Sequence, residues 1–181
     1  MIVLVLGGAR SGKSAMAERL VSALAGRRPV TVLATAVVVE GDADMAARVA
    51  AHRARRPPSW PTVETGPDLV GALSSVQGAV LVDSLGSWVA GQPELAVDAD
   101  GLCRALVERA GDTVVVSEEV GLGVHPSSHA GRRFRDVLGE LNQAAASVAD
   151  EVVLAAAGRA LRLVPVEGLV ATMLGGAGVS G

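Results

Sequence analysis

Tyrosine is absent from this 181-residue chain, and one Phe and two Trp hold its aromatic content to 2%. Half of the residues are apolar, so a core must be assembled from Val, Leu and Ala, which suits helices packed closely on a Val- and Leu-rich sheet. The single cysteine, Cys103, excludes an internal disulfide and fits a reducing cytoplasm. No uninterrupted apolar run approaches the roughly 18 residues of a transmembrane helix. The apolar start, Met1 to Leu6, lacks the basic leader of a signal peptide. A net charge of −3, with no long block of one sign, gives no reason to expect nucleic-acid binding. A cytoplasmic protein with no membrane span is the expectation.

Lysine is almost missing as well. Fifteen of the sixteen basic residues are arginine, and the lone lysine is Lys13. It lies in Gly7-Gly8-Ala9-Arg10-Ser11-Gly12-Lys13-Ser14, which has the form G-x-x-x-x-G-K-[ST] of a phosphate-binding P-loop. An ammonium on a flexible stem is a point charge able to reach between β- and γ-phosphate oxygens, which a planar guanidinium does less well. The apolar run Ile2–Leu6 before the motif and the helical pattern Ser14–Leu24 after it give the strand–loop–helix context that the motif needs. Backbone N–H groups from Gly8 to Ser14, at a helix N-terminus, would cradle the phosphates. The Ser14 hydroxyl would hold Mg²⁺.

Buried strands are expected at Ile2–Leu6, Val30–Ala34, Ala79–Val82, Thr113–Val116, Glu151–Ala155 and Ala160–Val164, because continuous apolar runs mark strands covered on both faces. Helical segments are expected at Lys13–Leu24, Asp44–Arg55, Pro67–Ser75, Asp98–Ala110 and Arg132–Ala149. This alternation predicts an α/β fold: a single P-loop NTPase-like domain over residues 1–164 with a mostly parallel, doubly wound sheet, its ligand at the carboxyl ends of the strands. Residues 165–181 form a C-terminal segment whose Gly-rich end is expected to fray.

Other candidates gather at the same strand ends. Val80-Leu81-Val82-Asp83 delivers a carboxylate, either a second Mg²⁺ partner or a helix N-cap. Glu118 and Glu119 follow the strand Thr113–Val116 and could activate a hydroxyl or a metal-bound water, or equally be solvated loop charges. His125 and His129 read as structural or surface residues, and no His or Cys pair has structural-zinc spacing. His52 stands in the last turn of the helix Asp44–Arg55; on its residues alone it reads as a partly exposed structural histidine. Guanine reading through Asn-Lys-x-Asp is excluded, because the sole asparagine, Asn142, precedes Gln143. A transporter-type Leu-Ser-Gly-Gly signature is missing too. A small-molecule kinase or nucleotidyltransferase remains.

Four blocks resemble the bifunctional adenosylcobinamide kinase/adenosylcobinamide-phosphate guanylyltransferases of cobalamin biosynthesis. They are the P-loop; Met45-Ala-Ala-Arg48-Val-Ala-Ala-His52-Arg53 with Arg56-Pro57 and Trp60-Pro-Thr-Val-Glu64; Glu119-Val-Gly-Leu-Gly-Val-His-Pro126; and Phe134-Arg-Asp136 through Asn142-Gln143 to Val153. The resemblance implies two reactions. In the first, ATP or GTP phosphorylates adenosylcobinamide, with Lys13 as a catalytic cation and Mg²⁺ on Ser14 and Asp83. In the second, His52 attacks the α-phosphate of GTP, carries GMP as a phosphoramidate, and passes it to adenosylcobinamide phosphate. The imidazole must be neutral to attack, and the flanking arginines disfavour its protonation.

By the same resemblance, nucleotide contacts fall on Gly7, Gly8, Ala9, Arg10, Ser11, Gly12, Lys13 and Ser14. They continue with Ala34, Thr35 and Ala36, then Arg53, Ala54, Arg55 and Arg56, and finally Glu64 and Asp83. The assembly implied is a homotrimer. The chain departs from the family after Asp83, where Cys-Leu-Thr-x-Trp and then an Asn are common and Ser84-Leu85-Gly86-Ser87-Trp88-Val89-Ala90 stands here, without the Thr or the Asn; some relatives also have Asn in place of Glu118. Two other readings stay open: a different P-loop small-molecule kinase with His52 structural, and a nucleotide-binding regulatory protein that transfers nothing.

Overall fold

The computed structural model describes residues 1–36, 50 and 53–175. Seven strands form one sheet: β1 (Ile2–Gly7), β2 (Val30–Ala34), β3 (Thr62–Glu64), β4 (Ala79–Asp83), β5 (Thr113–Glu118), β6 (Glu151–Ala156) and β7 (Arg159–Leu163), in the order β3-β2-β4-β5-β1-β6-β7. The helices are α1 (Lys13–Ala25), α2 (Leu69–Ser75), α3 (Leu85–Ala90), α4 (Ala99–Glu108), α5 (His129–Val148) and α6 (Val166–Gly175), with a 3₁₀ turn at Pro93–Leu95. Every pairing is parallel except β6–β7. The α/β, mostly parallel sheet expected from the sequence is therefore observed. None of the described helices is long and apolar enough to cross a membrane.

The strand pattern explains the continuous apolar runs. Val3 and Val5 of β1 face one way and pack with Ala17, Val21 and Ala25 of α1, together with Val32, Leu81, Val114 and Val116. Leu4 and Leu6 face the other way and join Leu69 and Leu73 of α2, Leu85 of α3, Leu102 and Leu106 of α4, and Leu138 and Leu141 of α5. Because side chains alternate between faces and both faces are covered, both sets must be apolar. The absence of tyrosine is visible here: the large, fully buried side chains are Leu and Val. Trp88, almost wholly buried, satisfies its indole N–H by donating to the Pro67 carbonyl at 2.8 Å.

Four elements differ from the sequence expectation. Strand β7 is antiparallel and exposed along its length, whereas Ala160–Val164 reads as a covered strand. The cause is the two-residue connection Ala157-Gly158, with φ of 49° and 72°, the signature of a turn that folds a chain back as a hairpin. The short edge strand β3, the helix α3 and the helix α6 have no counterpart among the expected elements. Of the expected helix Asp44–Arg55, only residues 50 and 53–55 are among the described residues, and these are helical.

The end of the sheet away from the strand C-termini is closed by charge and hydrogen bonds. Arg109 donates to the carbonyls of Val76, Gly78, Gly111 and Asp112 at 2.8–3.3 Å, and burial lowers its pKa against the pull of Asp112. Arg28 Nη2 donates to Asp112 Oδ2 at 2.6 Å, and the Met1 ammonium to Oδ1 at 3.1 Å. The Arg28 bond, then that of the ammonium, holds the Asp112 carboxyl below the ordinary carboxylate range. A depressed folded-state pKa contributes stability above the unfolded value and loses it as pH falls through the folded one. Asp112→Asn is accordingly expected to cost about 0.5–1 kcal/mol at neutral pH, because Arg28 is exposed and screened. Urea titrations should show that gap closing in acid; a gap that persists below the carboxylate range would refute the ion-pair account.

Candidate functional site

The loop between β1 and α1 carries the phosphate-binding motif. Gly12 caps α1 in the left-handed region, at φ 94°, a conformation that favours glycine, and a Cβ there would lie a tight 3.2 Å from the Gly158 Cα. The hairpin turn braces the loop from outside, with Gly158 N–H donating to the Ser11 carbonyl at 2.9 Å. Within the loop, Ser11 N–H donates to the Gly8 carbonyl at 3.3 Å, and Lys13 Nζ donates to that carbonyl at the same distance. The first turn of α1 contains no acidic residue. No carboxylate of its own first turn meets the positive dipole end of α1, which therefore suits an anion from outside the chain.

An open pocket of about 680 Å³ lies over this loop. Ala9 to Ala15 line it, joined by Ala34 and Ala36 after β2, Arg53, Arg55 and Arg56, then Asp83, Ser84, Ser87, Glu118, Glu119 and Val120. Five cationic side chains (Arg10, Lys13, Arg53, Arg55, Arg56) face three carboxylates, in a chain whose net charge is −3. The local cation excess against an acidic whole marks a site for a polyanion. The arginine segment is tied down by ion pairs. Arg55 Nη2 lies 3.3 Å and Arg56 Nε 3.5 Å from Glu18 Oε1 of α1, and Arg56 Nη2 pairs with Asp83 Oδ2. Arg56 is nearly buried, whereas Arg53 and Arg55 are open to the pocket.

A family model described as cobinamide kinase/cobinamide phosphate guanyltransferase matches residues 3–163. The chain belongs to that family. It is 42% identical over 166 residues to the bifunctional adenosylcobalamin biosynthesis protein CobP of Pseudomonas aeruginosa, spanning 86% of this chain and 92% of that one. It is 35% identical over 185 residues to the bifunctional adenosylcobalamin biosynthesis protein CobU of Escherichia coli, spanning 90% and 99%. A solved structure of a prototypical ATPase from the type III secretion system of pathogenic bacteria superposes on 95% of this chain and 61% of its own, with a TM-score of 0.51 at 11% identity. That likeness concerns the fold alone.

Several residues that the family resemblance singles out are placed away from the pocket wall. Thr35 is buried, and its hydroxyl donates to the Ser84 carbonyl at 2.6 Å and accepts from Ser84 N–H at 2.9 Å; it braces the floor. Glu64 ends β3 and pairs with Arg53. Ala54 is exposed beside the lining arginines. Gly7 is buried at the end of β1, and Gly8 serves through its carbonyl. His52 lies outside the described residues. The helix that follows Asp83 is capped by Ser84, whose Oγ accepts from Ser87 N–H at 3.3 Å, so Asp83 is not the N-cap that its position allowed. His125 and His129 are exposed as expected, with His125 Nδ1 2.9 Å from Arg135 Nη1.

Glu118, for which the sequence leaves two roles open, lines the pocket 3.5 Å from Lys13 Nζ. Ser84 and Asn142, to which no motif gives a role, hold that carboxylate and its backbone. A signal was present in Asn142, the sole asparagine, which falls on the inward face of a helix.

Proposed function

We propose that this chain phosphorylates the aminopropanol hydroxyl of adenosylcobinamide with ATP or GTP. It then carries GMP from GTP on His52 to adenosylcobinamide phosphate, releasing pyrophosphate and giving adenosylcobinamide-GDP. The observation that carries the reading, beside family membership, is the convergence of the phosphate loop and the arginines 53, 55 and 56 on one cation-rich pocket. The α1 N-terminus and Lys13 hold the β- and γ-phosphates. Arg53 and Arg55, next to His52 in sequence, supply charge for an α-phosphate under attack.

The oxygen donors of Ser14 and of Asp83, whose carboxylate also pairs with Arg56, are of the kind Mg²⁺ takes; that ion binds one or two protein ligands and takes the rest from phosphates and water. When bound there, the ion would supply positive charge to offset that of the phosphates during transfer.

A homotrimer fits the exposed apolar surface at the other end of the sheet, where Leu161 and Leu163 of β7 and Leu169, Val170, Met173 and Leu174 of α6 are open. Sedimentation at three chains per particle is the expected signature, and a monomer at micromolar concentration would contradict it.

The function is tested with doubly labelled GTP. Incubation with adenosylcobinamide should move γ-label onto the corrinoid first and α-label afterwards. Absence of both labels from the corrinoid, with nucleotide bound, overturns the reading.

A further inference from the structure

Glu118 is the last residue of β5, and the parallel register sets it beside Gly7, where the phosphate loop begins. Its backbone is fixed from a second direction. The amide of Asn142, buried on α5, donates to the Glu118 carbonyl at 3.0 Å and accepts from the Ser117 hydroxyl at 2.6 Å. The carboxylate is held as well. Ser84 Oγ stands 3.1 Å from both of its oxygens, and Lys13 Nζ stands 3.5 Å from Oε1.

Gly86 makes room for this arrangement. A Cβ at that position would collide with Glu118 Oε2 and lie 2.9 Å from Cδ, so no side chain fits there while the carboxylate keeps its place. The other pocket carboxylates are engaged elsewhere: Asp83 with Arg56, and Glu119 with its own loop, accepting from Gly121 N–H at 2.6 Å. Glu118 is 31% exposed and faces the pocket.

A carboxylate fixed this close to Lys13 lies at the γ-phosphate end of a bound triphosphate. Turned directly on phosphate oxygens it would meet like charge; the group it suits is a hydroxyl about to become a nucleophile. Triphosphate binding draws the Lys13 ammonium onto the phosphates and leaves Oε1 for that hydroxyl.

We propose that Glu118 accepts the proton of the acceptor hydroxyl during phosphoryl transfer, an assignment that rests on the kinase reading above. As the acceptor oxygen bonds to the γ-phosphorus, the bond from that phosphorus to the β–γ bridging oxygen breaks, and its electron pair leaves with the nucleoside diphosphate. The hydroxyl proton passes to a Glu118 oxygen and, after product release, to water. Ser84 and Asn142 are positioning residues, which spare the carboxylate reorganisation when the proton moves.

Glu118→Gln keeps the shape and the hydrogen bond from Ser84 but removes the proton acceptor. With adenosylcobinamide and γ-labelled GTP, kcat for phosphorylation is expected to fall about 100-fold or more. The Kd of a non-hydrolysable GTP analogue should stay within about threefold or tighten, because a negative charge beside the phosphates is gone. Gly86→Ala should lower kcat about tenfold in the wild-type background and change nothing in a Glu118→Ala background, where the colliding group is absent. A Glu118→Gln enzyme that keeps kcat within about threefold overturns the assignment. So does a loss of analogue binding that accounts for the lost rate, which would make Glu118 part of the nucleotide site's framework. If the wild type binds the analogue but phosphorylates no corrinoid, the kinase reading falls and takes this assignment with it.

Discussion

Lys13→Arg is expected to reduce triphosphate turnover by about a thousandfold while leaving the fold intact. The charge is conserved, so the effect is one of shape. Lys13 Nζ sits under the loop it belongs to, 3.3 Å from the Gly8 carbonyl and 3.5 Å from Glu118, on a side chain only 13% exposed. A guanidinium is a planar fork with five donors, and it cannot enter the space between loop and carboxylate without pushing one of them aside. The loop has little freedom to yield. Gly158 N–H holds the Ser11 carbonyl, and Ser11 N–H holds that of Gly8. The fold has no such stake, because neither core cluster includes Lys13. The melting temperature should therefore move by no more than about 2 °C. Wild-type turnover in the variant would show that Lys13 does not touch the transferred phosphate. Lost turnover together with a collapsed melting temperature would place the lysine in the framework.

Much of this site could be read before any coordinates, and the boundary of what could be read is physical. The phosphate loop is a local object: eight consecutive residues whose spacing encodes a backbone conformation, and Gly12 adopts the left-handed geometry it requires. The buried strands are local too, since a strand covered on both faces must be apolar throughout. What escaped is short or non-local. The edge strand β3 is three residues long, with Val63 and Glu64 exposed; nothing periodic marks it. The helix α3 spans six residues, too few for a helical stripe to show. The direction of β7 was decided by two turn residues and not by the apolar run itself. The pairs that shape the pocket join residues 27 to 34 positions apart, as in Arg56 with Asp83 and Ser84 with Glu118. No spacing rule connects them; for the second pair it is the sheet that does so, by setting β4 beside β5.

The pocket's charges also explain a compositional oddity. Arginine does the neutralising work around the site, and several of its guanidinium groups are anchored: Arg56 by Glu18 and Asp83, Arg55 by Glu18, Arg53 by Glu64. A planar fork suits this role, because it can keep one edge on a carboxylate and present the other to a ligand. The single lysine stands apart from these pairs, within the phosphate loop and 3.5 Å from Glu118. The acidic residues that set the net charge at −3 include those that orient these arginines, so an acidic protein presents a basic pocket.

His52→Ala is expected to abolish guanylyl transfer outright while leaving phosphorylation of adenosylcobinamide within about threefold of wild type. The two reactions attack different phosphorus atoms. Transfer of the γ-phosphoryl group needs Lys13, the loop and an acceptor hydroxyl; none of those groups is lost with the imidazole. Transfer of GMP through the protein needs a nucleophile that forms a bond to the α-phosphorus as pyrophosphate leaves, and alanine has none. Incubation with α-labelled GTP should leave label on the wild-type protein that acid releases and alkali does not, as for a phosphoramidate, and no label on the variant. The arginines beside His52 give a graded control. Arg55→Ala removes a charge that lines the pocket but leaves the nucleophile, so labelling should slow, by about ten- to a hundredfold, and still reach completion. Label that survives His52→Ala would mean another nucleophile carries GMP. Label absent from the wild type, with γ-phosphoryl transfer intact, would leave a kinase alone and make the arginine segment a binding surface for the triphosphate.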